Sequence, residues 1–283
     1  MGEFRTIGPQ KYPARKQGWV MRKSDIRVAF FLIFLSQCTS SPLNRRQLAL
    51  YSENEMASQG DRIYTAIKES TPISASSEKI NYVRCITENL ILGLDESAKL
   101  RYSWEVTTFE DPQVNAFALP GGKIGVYEGL LEVADNQHQL AAVIAHEIGH
   151  VIARHGNERA SQSAMRSVGV LAAQILGVPE STAAAIDAST QIGILLPFNR
   201  IQESEADEIG LRLMSATGFD PLETLTLWEK MADNQSRRTP ELLATHPSPQ
   251  SRIETLQTLM GPAEKTWIDA RKSGINPDCL IMN

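Results

Sequence analysis

The histidine and glutamate residues between positions 146 and 150 have the types and the spacing of a metal-dependent hydrolase. His146 and His150 are four positions apart, so on a helix both imidazoles leave the same face and can converge on one tetrahedral ion. Glu147 lies about 100° around the helix from His146 and can reach a water molecule at the metal without binding the metal itself. The spacing therefore predicts one Zn²⁺ per chain, with Glu147 as the general base.

The flanking sequence predicts that this helix is buried. An apolar run, Leu140 to Ala145, precedes the first histidine, and Val151 and Ile152 follow the second. Buried imidazoles and carboxylates need partners, and a metal ion supplies them. The alternative is a buried helix whose histidines are hydrogen-bonded without a metal. Gly149 costs about 1 kcal/mol against alanine in mid-helix, which indicates the close approach of another element.

A catalytic zinc site takes three protein ligands and leaves one position for water, so a third ligand is required. His155 lies nine positions after His146, which on a continuous helix directs it to the opposite side. We therefore interpret His155 as a surface or capping histidine. The acidic segment 203–208 is the better source of a third ligand, because carboxylates also bind zinc.

Helical geometry separates the acids of this segment into two groups. Glu203 and Asp207 lie on a stripe of small and apolar residues, which predicts that they face the core. Glu205 and Glu208 lie on the opposite, exposed stripe, where Glu208 can pair with Arg212. We predict Glu203 as the third ligand and Asp207 as a buried acceptor that orients a ligand histidine.

The segments 146–150 and 203–207 together resemble the HtpX and CAAX-prenyl-protease type of zinc metallopeptidases, which are gluzincins. The segments 115–122 and 245–247 also look like that family, and the resemblance covers about residues 45–260. The body and the leader are most similar to the periplasmic, LoiP-like lipoprotein branch. The resemblance implies a zincin-type fold and a peptidase activity.

The resemblance also implies roles for individual residues. It makes Glu147 the catalytic base and Asp207 a proton donor or a support for the ligands. It favours the predicted strand Val114–Leu119 as an edge that pairs with an extended substrate, although the pattern alone also fits an ordinary structural hairpin. The residues of that edge are Asn115, Ala116 and Phe117.

His246 stands alone between Thr245 and Pro247 in a predicted loop. A satisfied structural histidine is the default interpretation. The sharper hypothesis is that His246 reaches the zinc site. There it would donate to an oxyanion, or occupy the open position and hold the enzyme latent.

The periodicity of the apolar residues predicts strands between two sets of helices. We expect helices over Leu43–Ser70 and Ser77–Leu94, strands around Tyr102–Val106, at Val114–Leu119 and at Lys123–Tyr127, and later helices from Asn136, within 160–196, over Asn199–Ala216, from Asp220 and over Ser248–Met260. The fold class is α+β and mostly helical, with a small antiparallel β-sheet beside the histidine helix. The predicted parts are a leader over 1–38, N-terminal helices over 39–95, a metallopeptidase core over 96–262 and a poorly defined tail over 263–283.

The N-terminus reads as a targeting segment. A basic start precedes the apolar run Val28–Leu35, which spans roughly 12 Å as a helix and is too short for a bilayer core of about 30 Å. The run ends in Leu35–Cys38, which resembles a bacterial lipobox and implies lipidation of Cys38. In the lipoprotein pattern, an aspartate after the cysteine retains the protein in the inner membrane. Thr39 stands at that position here, so the resemblance favours the periplasmic side of the outer membrane. A plain secretory signal, giving a soluble periplasmic protein, and a mitochondrial-type leader stay open.

The composition excludes some other classes of protein. The net charge is −5 and no long basic stripe lies beyond residue 27, so we expect no nucleic-acid partner. None of the three cysteines lies in a CxxC pair, which excludes a cysteine zinc ribbon. With Cys38 lipidated, Cys85 and Cys279 would form a disulfide or remain two free thiols.

These features predict a zinc-dependent endopeptidase that hydrolyses unfolded or misassembled envelope proteins. The alternative is a non-proteolytic periplasmic quality-control protein, similar to a chaperone, with a structural metal. A site with three protein ligands and one open position favours the peptidase, because structural zinc sites are usually closed by four protein ligands.

Overall fold

The computed structural model describes residues 38–175, 199–233, 241–242, 246 and 249–279. The chain divides into the units Met1–Cys38 and Thr39–Asn283. The elements described below lie in the second unit, apart from Cys38, the first residue of β1. The strands are β1 (Cys38–Ser40), β2 (Arg46–Leu48), β3 (Glu105–Phe109), β4 (Ala116–Leu119) and β5 (Lys123–Tyr127). The helices are α1 (Glu53–Ser70), α2 (Ser77–Leu92), α3 (Glu96–Arg101), α4 (Glu128–Leu131), α5 (Gln137–Ile152), α6 (His155–Ile175), α7 (Arg200–Ala216), α8 (Leu222–Asp233) and α9 (Pro249–Lys272).

The α+β fold class is confirmed, and the small sheet packs against α5. Its strand order is β3-β5-β4, with β4 antiparallel and β3 parallel to β5. The sheet is therefore mixed rather than purely antiparallel. The physical reason is that β5 returns from the Pro120-Gly121-Gly122 turn into the space between β3 and β4, so two strands of the same direction become neighbours.

The helix of the predicted metal ligands, α5, begins at a polar cap. The side chain of Asn136 accepts hydrogen bonds from the backbone amides of His138 and Gln139. At the start of α7, Asn199 forms a capping box with Gln202. Such caps satisfy amides that have no partner inside the helix, so they fix where each helix begins. The start of each helix in turn sets which residues face the neighbouring helix.

The helices α5 and α7 approach each other backbone to backbone through two glycines. A Cβ atom on Gly149 would lie 2.8 Å from the carbonyl oxygen of Ala206, and one on Gly210 would lie 2.8 Å from the backbone nitrogen of His146. Any side chain at either position would push the helices apart. The close approach predicted at Gly149 is therefore observed, and it brings the acids of α7 to the histidines of α5.

The N-terminal part differs from the prediction of one helix over Leu43–Ser70. The chain there forms the two short strands β1 and β2, and the helix starts only at Glu53. Asn44 has a φ of 61°, in the left-handed region, which a helix does not allow. Ser52 then caps α1 in a capping box with Glu55.

The C-terminal part is better defined than predicted. The last helix was predicted to end at Met260, but α9 continues through Pro262 to Lys272. The indole of Trp267 donates to the carbonyl oxygen of Gly218 at 3.0 Å, so the extension packs on the body. A disulfide then joins Cys85 to Cys279, with their Cα atoms 5.7 Å apart.

Within the described ranges, no helix combines the length and apolarity needed to cross a membrane. The predicted helices over 160–196 lie partly in α6, and residues 176–198 fall outside the described part. The four-part domain division remains a prediction.

Candidate metal centre

Four side chains from three parts of the chain converge in the interior. His146 and His150 come from α5, Glu203 comes from α7 and His246 follows α8, and one ligand atom from each lies within 4.8 Å of the others. The Nε2 atoms of His146 and His150 are 3.0 Å apart. The carboxylate of Glu203 lies 3.5 Å from His146 Nε2 and 3.4 Å from His150 Nε2. All four side chains are almost fully buried.

His246 is part of this cluster and not a remote structural histidine. Its Nδ1 atom lies 3.0 Å from Oε1 of Glu203 and 3.3 Å from Nε2 of His146. Its Nε2 atom lies 3.3 Å from Oε1 of Glu147. The ring therefore lies between the predicted ligands and the predicted base.

The residues present fit a zinc ion. Three imidazoles and one carboxylate are common zinc ligands, and four such groups suit a tetrahedral ion. Oε2 of Glu203 is buried and, among the described residues, makes no hydrogen bond. Nη1 of Arg252 lies 3.2 Å from this oxygen as an ion pair without hydrogen-bond geometry, so a metal ion would provide the direct partner that the oxygen lacks.

The charge states of the ligands also suit a cation. Burial by itself would raise the pKa of Glu203, but the neighbouring histidines, His246 above all, hold that pKa well below its usual value. Burial lowers the pKa of His150 well below its usual value. The carboxylate is therefore ionised and the imidazole is neutral, which are the forms that bind a metal.

Glu147 lies beside the cluster and is held from outside it. Its Oε2 atom accepts a hydrogen bond of 2.9 Å from the backbone amide of Ala118 on β4. Its Oε1 atom is buried and makes no hydrogen bond within the described part of the chain. One oxygen anchors the group and the other faces the ligands, which is the arrangement that a general base needs.

Asp207 supports His146, as predicted, and a further residue supports Asp207. The Oδ1 atom of Asp207 lies 2.9 Å from Nδ1 of His146. Arg252 donates to both oxygens of Asp207, at 2.5 and 2.8 Å, and its Nη1 lies 3.2 Å from Oε2 of Glu203. The guanidinium stacks on the ring of Trp228 at 3.7 Å.

The sequence pattern did not predict that Arg252 takes part in the site, where it is 2% exposed. Burial opposes ionisation of both groups, yet Arg252 lowers the pKa of Asp207, and Asp207 raises the pKa of Arg252. A signal was present: Arg252 lies next to Ile253 and one turn before Leu256, on the buried side of α9. A single arginine on an apolar stripe indicates a buried partner of opposite charge.

The interpretation of His155 as a surface or capping histidine is wrong. The residue is fully buried, its Nδ1 lies 2.8 Å from Nδ1 of His150, and its Nε2 lies 3.1 Å from Oε2 of Glu205. The helical extrapolation failed because α5 ends at Ile152 and Arg154 has a φ of 58°, so His155 does not continue the same helix.

The assignment of Glu205 to an exposed stripe is also wrong. Glu205 is 5% exposed because Arg45 covers it, with Nε 2.7 Å from its Oε2. Burial would raise its pKa, but hydrogen bonds from His155 and Arg45 help to hold that pKa at about 2. The same stripe is exposed further along, where Glu208 pairs with Arg212 as expected.

The predicted substrate edge is an edge of the sheet. β4 is an outer strand, and Asn115 directly precedes it. The backbone amide of Ala116 donates to Oδ1 of Asn115 at 3.0 Å, and the ring of Phe117 packs on Phe109. The strand thus lies against α5 at the level of Glu147, through the amide of Ala118.

The chain belongs to peptidase family M48, whose model matches residues 77–260. It is 41% identical over 170 residues to the mitochondrial metalloendopeptidase OMA1 of Schizosaccharomyces pombe, covering 57% of this chain and 48% of the relative. It is 32% identical over 206 residues to the β-barrel assembly-enhancing protease of Escherichia coli, covering 69% and 41%. It is 27% identical over 274 residues to the metalloendopeptidase OMA1 of Bos taurus, covering 90% and 52%.

The match identifies the metal. Members of this metallopeptidase family use zinc, and with the buried cluster this confirms the predicted cofactor. The family resemblance stated from the sequence is confirmed at the level of M48. The chain spans about half the length of the curated relatives that it matches.

Proposed function

We propose that this chain is a zinc-dependent endopeptidase in which Glu147 is the general base. The observation that carries the proposal is that the two carboxylate oxygens of Glu147 have different surroundings. Its Oε2 is fixed by the amide of Ala118, while Oε1 makes no hydrogen bond within the described residues and lies 3.3 Å from Nε2 of His246, one of the zinc-type ligands. Glu147 is not needed as a ligand, so a carboxylate anchored in this way beside the cluster suits a general base better than a structural site.

The chemistry follows from these positions. A bound zinc ion supplies Lewis acidity toward the carbonyl oxygen of the substrate and toward a water molecule. Oε1 of Glu147 accepts the proton of the attacking water and then delivers it to the leaving amine. Asp207 and Arg252 hold the ring of His146, because Asp207 accepts from Nδ1 and Arg252 fixes both oxygens of Asp207.

The edge of β4 is proposed to bind the substrate. An extended peptide adds to an exposed strand edge through backbone hydrogen bonds. Asn115, Ala116 and Phe117 lie at this edge, and the next residue, Ala118, contacts the base. A chain paired there would run past Glu147.

His246 is proposed to be a fourth ligand in the resting state. Its Nδ1 lies within 3.3 Å of atoms of both Glu203 and His146, and its side chain is 3% exposed. A ligand in that position leaves no place for a substrate carbonyl, so the resting enzyme would be latent. The other hypothesis, donation to an oxyanion, uses the same ring after it has left the ligands.

Membership of the family does not specify the substrates or the cellular location of this chain, so both are proposed here. We propose polypeptide substrates among misassembled envelope proteins, and a periplasmic lipoprotein of the LoiP-like branch attached to the outer membrane through Cys38. Support comes from the lipobox-like sequence at 35–38 and from a relative whose name refers to β-barrel assembly. The name of another relative refers to mitochondria, so a mitochondrial-type leader is the alternative, and it predicts no lipid on Cys38.

Fractionation with a Cys38→Ala variant tests the location. Wild type in the outer-membrane fraction, with a palmitate label that the variant lacks, would support the proposal. Wild type without the label and in a soluble fraction would contradict it.

The activity is tested by comparing wild type with Glu147→Gln on unfolded casein while bound zinc is measured in both. We expect equal zinc content and a loss of cleavage of at least about 100-fold in the variant, because the amide cannot take the proton. Cleavage by the variant at the wild-type rate would refute Glu147 as the base. A third protein, His246→Ala, is assayed beside them. If wild type and Glu147→Gln bind equal zinc and none of the three proteins cleaves casein, the result would favour the non-proteolytic binding protein.

A further inference from the structure

A line of polar contacts runs from one predicted zinc ligand to the N-terminal hairpin. Nδ1 of His150 lies 2.8 Å from Nδ1 of His155, and Nε2 of His155 lies 3.1 Å from Oε2 of Glu205. The same Oε2 accepts from Nε of Arg45 at 2.7 Å. None of these contacts belongs to the peptidase chemistry, yet His155 is fully buried and Glu205 is 5% exposed.

The hydrogen-bonding roles along this line have only one assignment that leaves His150 able to bind zinc. A carboxylate accepts only, so Nε2 of His155 carries the proton shared with Glu205. Nδ1 of a neutral His155 is then an acceptor, and Nδ1–H of His150 is its donor. That places the lone pair of His150 on Nε2, the atom that faces His146 and Glu203.

We propose that His155 is a positioning residue that, with Glu205, fixes the tautomer and the ring orientation of His150 for zinc. The two ligand histidines are thus each oriented by a carboxylate. Asp207 orients His146 directly, and Glu205 orients His150 through an intervening imidazole. Hydrogen bonds of this kind to the remote nitrogen of a ligand histidine raise its basicity and hold its ring.

Arg45 keeps Glu205 in the required state and place. Its Nη1 and Nη2 atoms bind both oxygens of Glu158 at 2.7 Å, while Nε holds Glu205. Glu158 also accepts from the amide nitrogen of Gln202 at 2.8 Å. The hairpin that contains Arg45 is therefore bound to α6 and α7, and it neutralises a carboxylate that burial would otherwise disfavour.

The proposal rests on the zinc site of the proposed function but not on its peptidase chemistry, so zinc affinity tests it. The zinc dissociation constant is measured by competition with a chromophoric chelator for wild type, His155→Ala, Glu205→Ala and His155→Gln. We expect the two alanine variants to bind zinc about 10–100-fold more weakly. His155→Gln keeps one donor and one acceptor, so we expect it to retain most of the affinity.

The matched control is His138→Ala. His138 lies on the same helix and is half-buried, and its ring accepts from the amide of Asp220 at 3.1 Å, away from the cluster. We expect this variant to bind zinc like wild type. Zinc affinity of His155→Ala equal to that of wild type would overturn the proposal, and so would an equal loss in His138→Ala.

A spectroscopic measurement keeps the proposal testable if His155→Ala does not fold. In zinc-loaded wild type with ¹⁵N-labelled histidine, we expect His155 to carry its proton on Nε2 and to accept at Nδ1. A proton on Nδ1 of His155 would overturn the proposal, because His150 could then not donate to it.

Discussion

The backbone amide of Ala118 donates to Oε2 of Glu147 at 2.9 Å, so an edge strand of the sheet holds a carboxylate of the helix that provides two ligands. This contact joins the proposed substrate-binding strand to the proposed base. Any substrate that pairs with β4 therefore has a fixed relation to Oε1 of Glu147. The contact is a backbone one, so its removal requires a change that deletes an N–H group.

Ala118→Pro removes this N–H group and leaves Glu147 without its anchor. Proline is tolerated at an edge position where the amide does not bond within the sheet. We expect casein cleavage to fall by about 100-fold, the usual effect of a displaced catalytic group, with zinc content unchanged. Ala118→Ser keeps the amide and is the control, for which we expect near wild-type cleavage. An active Ala118→Pro variant would show that the amide does not position the base.

The faces on which His146, His150 and Glu203 lie could be predicted because each face is a local property of one helix. Two histidines four positions apart share one face of α5, and the small residues of α7 indicated which acids face it. Helical geometry carries such predictions as long as the chain stays in one helix. The face on which each residue lies does not depend on the polypeptide between the helices.

The errors concern residues whose surroundings are set by a break in the helix or by distant parts of the chain. His155 follows the left-handed Arg154, so its direction could not be obtained from α5. Glu205 is covered by a hairpin distant in sequence, and Arg252 reaches Asp207 from the last helix. Contacts of this kind depend on the tertiary packing of whole elements, which periodicity does not encode.

His246→Ala separates the two roles proposed for this histidine. A resting-state ligand blocks the site, so its removal would raise casein cleavage by the reciprocal of the unblocked fraction, about 10-fold if nine molecules in ten are blocked. If His246 instead donates to the oxyanion, its removal lowers the rate of casein cleavage by about 100–1,000-fold. Initial rates at saturating zinc measure the difference. Unchanged rates would exclude both roles.

Arg252→Ala leaves Asp207 as an uncompensated buried charge. Removing one partner of a buried ion pair costs about 3–5 kcal/mol of unfolding free energy, so we expect a loss of that size in the zinc-free protein. Urea unfolding measures it. Arg212→Ala is the control, because its exposed pair with Glu208 contributes less than about 0.5 kcal/mol. Equal losses in both variants would contradict a special role of the buried pair.

The disulfide between Cys85 and Cys279 fixes the C-terminal segment against the start of the histidine helix. The amide of Cys279 donates to Oε1 of Gln137 at 2.9 Å, and Nε2 of Gln137 donates to the carbonyl oxygen of Pro277 at 3.1 Å. Loss of the crosslink frees a loop of 194 positions in the unfolded chain, so we expect Cys279→Ser to lower the unfolding free energy by about 2–5 kcal/mol.

The control for this prediction is chemical. Under a strong thiol reductant the crosslink is absent from both proteins, so wild type and Cys279→Ser should unfold at nearly the same urea concentration. Without reductant, wild type should unfold at the higher concentration. A difference that persists under reductant would mean that Cys279 stabilises the tail by packing, since its side chain is 3% exposed, and not by the crosslink.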